Sequence, residues 1–252
     1  MKKNNKIDII LPVYNSKNFI LNTLRSVINQ TYKKWRLLIV DDNSTDGTRK
    51  LIINFINNNI SKKKFILIKN KKNKGQAFSR NIALKHCNSE YIAFIDSDDL
   101  WEKNKLKIQI KYMSDNGYSF TYSDYKSIKK NKIRKIITPN FFNYKTFINN
   151  TSIATSTMMV KRKLLNGIFF QTLRLCEDYY LKCQLLKLNN AYKCPRIYSF
   201  YRLRSNSLQS DRLKVLLAVW NINKNLNNMN FINNFISVFF ITFNSLKKYA
   251  FR

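Results

Sequence analysis

Apolar residues recur along this chain in two rhythms. Short, largely apolar runs at 7–13, 35–40, 64–68 and 91–95, interrupted only by Asp8, Arg36 and Lys64, read as strands buried in a parallel sheet. Between them, apolar positions at helical spacing predict helices over 19–28, with Phe19, Ile20, Leu24, Val27 and Ile28 on one stripe, over 48–57, and over 75–85. Ser16 offers an N-cap to the first helix, Asp46-Gly47 turns the chain into the second, and Gly75 opens the third. Pro12 predicts that the first strand stops there rather than continuing in a central ladder. Strands alternating with helices imply an α/β domain with right-handed crossovers. In such sheets ligands lie beyond the carboxyl ends of the strands, where Tyr14, Asp41 and Asp96 stand.

The second half follows a different pattern. A helix is expected over 103–113, strands near 119–125, 132–137 and 156–160, and a short helix near 144–149. A helical pattern runs from Leu175 through Leu188, a strand over 191–201 follows, and two helices over 212–226 and 231–248 complete the chain. These strands would extend the sheet in a mixed or antiparallel sense.

Composition narrows the class. A chain of 252 residues suits one α/β domain, and 44% hydrophobic residues with four Gly and three Pro exclude a disordered or collagen-like chain. The 46 Lys and Arg against 14 acids give a net charge of +32, a field that would attract phosphorylated substrates, anionic lipid or nucleic acid. Lys, Asn and Ile are abundant throughout, however, so the charge follows from composition and no nucleic-acid partner is expected. Cys87, Cys176, Cys183 and Cys194 show no paired spacing, which fits reduced thiols in the cytoplasm. No apolar run is long enough to span a bilayer, and His86 reads as a surface residue.

The candidate chemistry lies after the run 91–95, in Asp96-Ser97-Asp98-Asp99. In an extended segment Asp96 and Asp98 project to the same side, which suits a hard divalent cation that keeps positions open for phosphate oxygens. The competing reading is a polar turn with Asp98 or Asp99 as the N-cap of the next helix. The chain has no G-x-G-x-x-G or G-x-x-x-x-G-K-[ST] cradle, so a metal bridging diphosphate oxygens would take its place. Asp41 can accept a hydrogen bond from a base N–H or cap a turn, and Tyr14 can stack a nucleobase or pack in the core. Glu177-Asp178 offers general-base chemistry or an acidic helix start, and Arg202 and Arg204 a phosphate clamp or a solvated basic face.

Taken together, five segments resemble family 2 glycosyltransferases of the GT-A fold. They are Leu11-Pro12-Val13-Tyr14-Asn15, Ser26-Val27-Ile28-Asn29-Gln30-Thr31-Tyr32, 40–48, Asn73-Lys74-Gly75-Gln76-Ala77-Phe78-Ser79-Arg80-Asn81, and 94–101. Within that family the chain is most similar to bacterial cell-surface polysaccharide enzymes of the teichuronic-acid type, partly through Asp98-Asp99-Leu100-Trp101 and Tyr201-Arg202-Leu203-Arg204-Ser205-Asn206-Ser207.

The resemblance implies a Rossmann-like nucleotide-diphospho-sugar transferase fold with a mixed, mainly parallel central sheet flanked by helices. It implies an inverting transfer of a sugar from a nucleotide-diphosphate donor, UDP-linked by expectation, to a hydroxyl of a surface polysaccharide or lipid-linked glycan, with Mg²⁺ or Mn²⁺. Pro12 and Tyr14 would line the base pocket, Asp41 would bind the base, and Arg80 would face the nucleotide. Asp98 would be the principal metal ligand and Asp96 would contact the ribose and metal side, leaving Asp99 as a helix cap. Glu177 and Asp178 match the catalytic acid pair, with Asp178 as base. Arg202, Arg204 and Ser207 match the segment that closes over the diphosphate. Residues 1–210 would form the transferase domain, with 1–100 holding the nucleotide and 101–210 facing the acceptor. The helices of 211–252 would pack on it or on a membrane surface, giving a cytoplasmic protein, free or peripheral at the inner face of the membrane. The alternative is a catalytically silent module that holds an anionic glycan or nucleic acid.

Overall fold

The computed structural model of the protein describes residues 5–129, 132–203 and 211–250. Its first half is β1 (Ile7–Val13), α1 (Ile20–Ile28), β2 (Trp35–Asp41), α2 (Thr48–Asn57), β3 (Phe65–Lys69), α3 (Gln76–Lys85) and β4 (Tyr91–Phe94). Strands β3, β2, β1 and β4 lie side by side in that order, all parallel. Their alternate residues feed two cores. Ile10, Leu38, Ile92 and Phe94 pack on one face of the sheet, and Ile9, Leu37, Ile39 and Ala93 on the other. Burial on both faces is why β1, β2 and β4 read as largely apolar runs.

Strand β1 ends at Val13, as the run 7–13 predicts, and Pro12 is tolerated one residue before that end. The reason lies in the alternation of the backbone. Val13 O accepts from Asp42 N on the β2 side, and Ile10 O accepts from Ile95 N on the β4 side. Pro12 shares the side of Ile10, and the ladder with β4 ends at the Ile10–Phe94 pair. Its missing N–H therefore falls where no partner strand remains.

The second half is β5 (Leu100–Trp101), α4 (Lys105–Asn116), β6 (Phe120–Lys129), β7 (Lys132–Ile136), β8 (Phe141–Phe142), α5 (Tyr144–Phe147), β9 (Met159–Lys161), α6 (Glu177–Leu188), β10 (Ala191–Arg202), α7 (Arg212–Asn225) and α8 (Phe231–Ala250). The sheet runs β3-β2-β1-β4-β9-β6-β10-β5, with β7 on β6 and β8 on β10, ten strands among the described residues. Strand β9 is antiparallel to β4 and to β6, whereas β10 runs parallel to β6 across an irregularity between Cys194 and Tyr198. Pro195 sits in that irregularity, where a missing donor is tolerated.

Three local expectations change. The two-residue strands β5 and β8 are too short to leave a periodic signal. Thr155–Thr157 forms a 3₁₀ turn ahead of β9 rather than its first residues. Asp99 is not a helix cap, because β5 intervenes and α4 starts after Asn104. Among the described residues, no helix is long and apolar enough to cross a membrane.

Candidate active site

The loops after β1 and β2 are laced together at the carboxyl edge of the sheet. Asn15, in a left-handed conformation at φ 44°, donates from its backbone to Ser44 Oγ at 3.0 Å and accepts Thr45 N on Oδ1 at 2.9 Å. Lys17 N donates to Asp46 Oδ2 at 3.0 Å, and Ser16 N to Thr48 Oγ1 at 2.8 Å. Pro12 is buried at the base of this junction and the Tyr14 side chain is exposed above it. Asp41 is fully buried. Its Oδ1 accepts Ser44 N at 3.1 Å, while Oδ2 has no partner among the described residues. Leaving such an acceptor unsatisfied costs about 1–3 kcal/mol, so the position is primed for a donor from outside the chain. Asp42 does the opposite work, with its carboxylate accepting Asn70 Nδ2, Lys74 N and Gly75 N at 2.7–3.0 Å. These bonds shape the entry to α3, where Gly75 at φ 87°, ψ 165° adopts a conformation open essentially to glycine alone.

Beyond β4 the chain turns through the three aspartates. Ser16 and Ser97 hydroxyls meet at 2.6 Å, and Thr23 Oγ1 bonds to the carbonyls of Ser97 and Asp99, which fixes the turn against α1. Asp99 is buried and used internally. Its Oδ2 accepts Ser156 Oγ at 2.5 Å and its Oδ1 accepts Arg202 N at 3.0 Å. Burial, and then the charges of Asp96 and Asp98, push its carboxyl well above the usual range. Arg202 also donates from Nε to Asp98 O at 3.2 Å, with its guanidinium over the Phe19 ring. Asp96 and Asp98 are half-buried.

One guanidinium joins this turn to the start of α6. Arg80 is buried, and donates from Nη2 to Asp96 Oδ1 at 2.6 Å and from Nη1 to Glu177 Oε1 at 2.7 Å. Burial alone would favour its neutral form, but Asp96, Glu177 and Asp178 hold its pKa above the usual arginine value. Burial pushes Glu177 up to about 7, opposed by Arg80 and reinforced by Asp178. The neighbouring Asp178 keeps 20% of its side chain exposed, and Lys182 Nζ reaches its Oδ2 at 2.6 Å from one helical turn on. Thr155 Oγ1 donates to the same oxygen at 2.8 Å and accepts from Lys182 at 3.1 Å. Burial would raise Asp178, but Lys182, then Arg80 and Thr155, hold it well below the usual carboxylate range. The consecutive hydroxyls of Thr155 and Ser156 thus bind two of the acidic groups at this site, Asp178 and Asp99.

Residues 8–181 match the glycosyl transferase family 2 description. The chain belongs to that family. Over 219 residues, 86% of this chain and 84% of the relative, it is 39% identical to the Escherichia coli UDP-Glc:alpha-D-GlcNAc-diphosphoundecaprenol beta-1,3-glucosyltransferase WfgD. It is 30% identical over 230 residues, 90% of each chain, to the putative teichuronic acid biosynthesis glycosyltransferase TuaG of Bacillus subtilis. S. aureus TarS 1–349 in complex with UDP-GlcNAc superposes with a TM-score of 0.72 at 21% identity, covering 98% of this chain and 73% of that one. The fold is GT-A, and the protein is a glycosyltransferase.

In this family 2 transferase the structure gathers Asp96, Asp98, Arg80, Glu177, Asp178 and Arg202 around one cleft, and places Pro12, Tyr14 and Asp41 at the adjoining strand ends. Arg80 differs from its expected place. It is buried beneath the cleft, bridging two acids, instead of facing a nucleotide directly. Arg204 and Ser207 lie outside the described residues. His86 is exposed at the end of α3. Thr155, Ser156 and Lys182 complete the site without belonging to any recognisable motif. Lys182 has a signal of its own, a base four residues after an acid on one helix. The hydroxyls of Thr155 and Ser156 have none.

Asp96 and Asp98 fit a divalent cation by donor chemistry. Both are hard oxygen ligands, and they stand two residues apart on one half-buried turn. Among the described residues no three His, Cys, Asp or Glu side chains assemble a closed cage, so such an ion would draw most of its ligands from phosphate and water.

Proposed function

We propose that this glycosyltransferase moves a hexosyl unit from a UDP-sugar to a hydroxyl of a lipid-linked or surface glycan, with inversion at the anomeric carbon. The observation that carries the reading is Arg80, whose two ion pairs fix the Asp96–Asp98 turn and the Glu177–Asp178 pair in one cleft. Residues 1–100 would hold the nucleotide and 101–210 would face the acceptor. Asp41 Oδ2, which lacks a donor, receives a base N–H, and the exposed Tyr14 ring offers a stacking face. Asp98 and Asp96 would hold Mg²⁺ or Mn²⁺, which when bound would supply Lewis-acid stabilisation of the leaving diphosphate. Arg202, beside the same turn, adds positive charge there.

Asp178 takes the proton of the incoming hydroxyl as its oxygen bonds to the anomeric carbon and the bond to the diphosphate breaks, its electron pair leaving with UDP. Thr155 and Lys182 occupy Oδ2 and keep the carboxylate ionised and oriented. Glu177, turned onto buried Arg80, is a positioning residue. One base and one displacement give inversion. WfgD, by name, uses UDP-Glc and a GlcNAc-diphosphoundecaprenol acceptor, which supports a UDP donor and a lipid-linked acceptor.

The test is release of nucleoside diphosphate from UDP-, GDP- and dTDP-sugars with Mg²⁺ or Mn²⁺, with and without α-GlcNAc-diphospholipid, and the anomeric configuration of the product by NMR. Acceptor-stimulated UDP release, an inverted product and a loss of about 10²- to 10⁴-fold in Asp178→Asn are expected. Retention of configuration would overturn the single displacement. No release from any donor would point to a silent binding module.

A further inference from the structure

Helix α8 presents its phenylalanines outward. Its two most buried positions are polar, Asn234 at 1% and Ser237 at 0% exposure, with Val238 and Ile241 packing beside them, while Phe231, Phe235, Phe239 and Phe243 on the opposite face are 72%, 59%, 58% and 56% exposed. The inward polar side chains are held by hydrogen bonds. Asn234 Nδ2 donates to Trp220 O at 3.0 Å, Ser237 Oγ to Ile148 O at 2.6 Å, and Asn244 Nδ2 to Asn149 O at 3.0 Å. Ser237 Oγ is met at 3.1 Å by Asn223 Nδ2, whose Oδ1 accepts the Tyr179 hydroxyl at 2.7 Å. A helix facing water on its outer side carries the reverse pattern.

The apolar face continues onto α7. Leu213 and Leu217 are exposed, Trp220 stands next on the same stripe, and its ring meets Phe231 edge to face at 5.5 Å. A contiguous apolar surface of this kind marks an interaction site. Its charge identifies the partner. From Arg212 to the end the sequence holds no Asp or Glu, but it holds Arg212, Lys214, Lys224, Lys247, Lys248 and Arg252. Two copies meeting at this face would oppose these cations, with Asp211 at the start of α7 already paired to Lys214, on chains that each carry +32. An anionic lipid surface satisfies both the phenylalanines and the bases.

We propose that the α7–α8 hairpin is a docking face for an anionic phospholipid surface, with α8 lying in the interfacial plane and its phenylalanines entering the headgroup boundary. Helix α8 is long enough to span but apolar on one face only, which favours lying along the surface. Its hydrogen bonds to Ile148 O and Asn149 O fasten it a few residues of chain from Thr155, the hydroxyl on Asp178. The docking face is argued from α8 itself and holds whether or not the acceptor is lipid-linked.

The experiment is flotation of the full chain with vesicles of phosphatidylcholine alone and with 30 mol% phosphatidylglycerol (about this fraction suffices for basic-patch attraction). The wild type is expected to float with the anionic vesicles, less at high salt and less with phosphatidylcholine alone. Phe235→Ser/Phe239→Ser should lose at least tenfold in bound fraction while keeping its melting temperature and its lipid-free UDP-sugar turnover, and Lys224→Glu should weaken binding more modestly. Equal flotation of wild type and the double variant, or none by either, would overturn the proposal. A lipid-free dimer that the double variant dissociates would assign the face to a second copy instead. Vesicle binding in a chain that turns over no nucleotide-sugar would leave the docking face standing and remove the catalytic reading.

Discussion

Two regions of this glycosyltransferase bury polar groups, and they do so in opposite ways. The seam beneath α8 buries neutral amides and hydroxyls, Asn223, Asn227, Asn234 and Ser237, which bond to one another and to backbone carbonyls. The cleft buries charge. On a chain of 46 bases and 14 acids, seven of the acids, Asp41, Asp42, Asp96, Asp98, Asp99, Glu177 and Asp178, stand at this one edge of the sheet. Arg80 and Lys182 compensate part of that charge, and Asp41 Oδ2 is left without a donor. The seam acts as a fastening, with Asn234 Oδ1 its one atom lacking a partner among the described residues. In the cleft the open acceptor is a carboxylate at a strand end, where a base N–H can meet it.

The sharpest way to break this contrast is Asp98→Ala. Turnover should fall about 10³-fold, the scale of losing several kcal/mol of leaving-group stabilisation, in a variant whose melting transition shows that it still folds. Unfolding of the variant would mean that the turn is structural. Arg80→Met should next lower stability by about 3–5 kcal/mol in a denaturant titration, because it strands Glu177 and Asp96. In the seam, Asn223→Leu should cost only about 1–3 kcal/mol and leave turnover per folded molecule unchanged. Equal costs at the two sites would erase the distinction.

A finer effect belongs to Lys182. It holds Asp178 below the ordinary carboxylate value of 3.8, so the stability contributed by this ionisation is fully present above about pH 4 and is lost as pH falls through the folded value. Lys182→Met should raise the acid limb of the pH–rate profile by about one unit or more, with the alkaline side unmoved. An unmoved acid limb would detach Lys182 from the base. A last effect, read only in the pH dependence of stability, is expected at Lys105, fully buried with Nζ over the Trp101 ring at 3.9 Å and with no hydrogen-bond partner among the described residues, its pKa pushed down by burial to about 7. Because the unfolded chain keeps that proton up to the ordinary lysine value of 10.5, the stability difference between Lys105→Met and wild type should shrink as pH rises from 7 to 10. A difference that is flat with pH would show that Lys105 stays charged.

What the sequence makes legible divides along physical lines. Strands β1, β2 and β4 are buried on both faces, so their apolar runs announce them, and acids placed directly after such runs must stand at the carboxyl edge. That is how Asp41, Asp96 and Asp98 declare themselves. The Arg80–Glu177 pair spans 97 positions and leaves no local trace. The hydroxyls of Thr155 and Ser156 act from a 3₁₀ turn that no periodicity marks. Asp99 reads as a cap because acids before helices usually are, but its side chain is taken by Ser156 and Arg202, both distant in sequence. In α8 the rhythm predicts an amphipathic helix without saying which face turns inward. Here hydrogen bonds from Asn234, Ser237 and Asn244 decide against the apolar side.

The central claim is that the acids of the cleft hold a nucleoside diphosphate through a divalent cation. Calorimetric titration of UDP into the full chain tests it, in Mn²⁺ and in EDTA, for the wild type, Asp98→Ala and Asp41→Asn. Binding to the wild type in Mn²⁺ is expected, weakened at least tenfold by EDTA and by Asp98→Ala (about 1.4 kcal/mol or more). Asp41→Asn should weaken it even in Mn²⁺, because an amide competes poorly as the acceptor for a base N–H. Equal affinity in EDTA, in Mn²⁺ and in both variants would contradict the account.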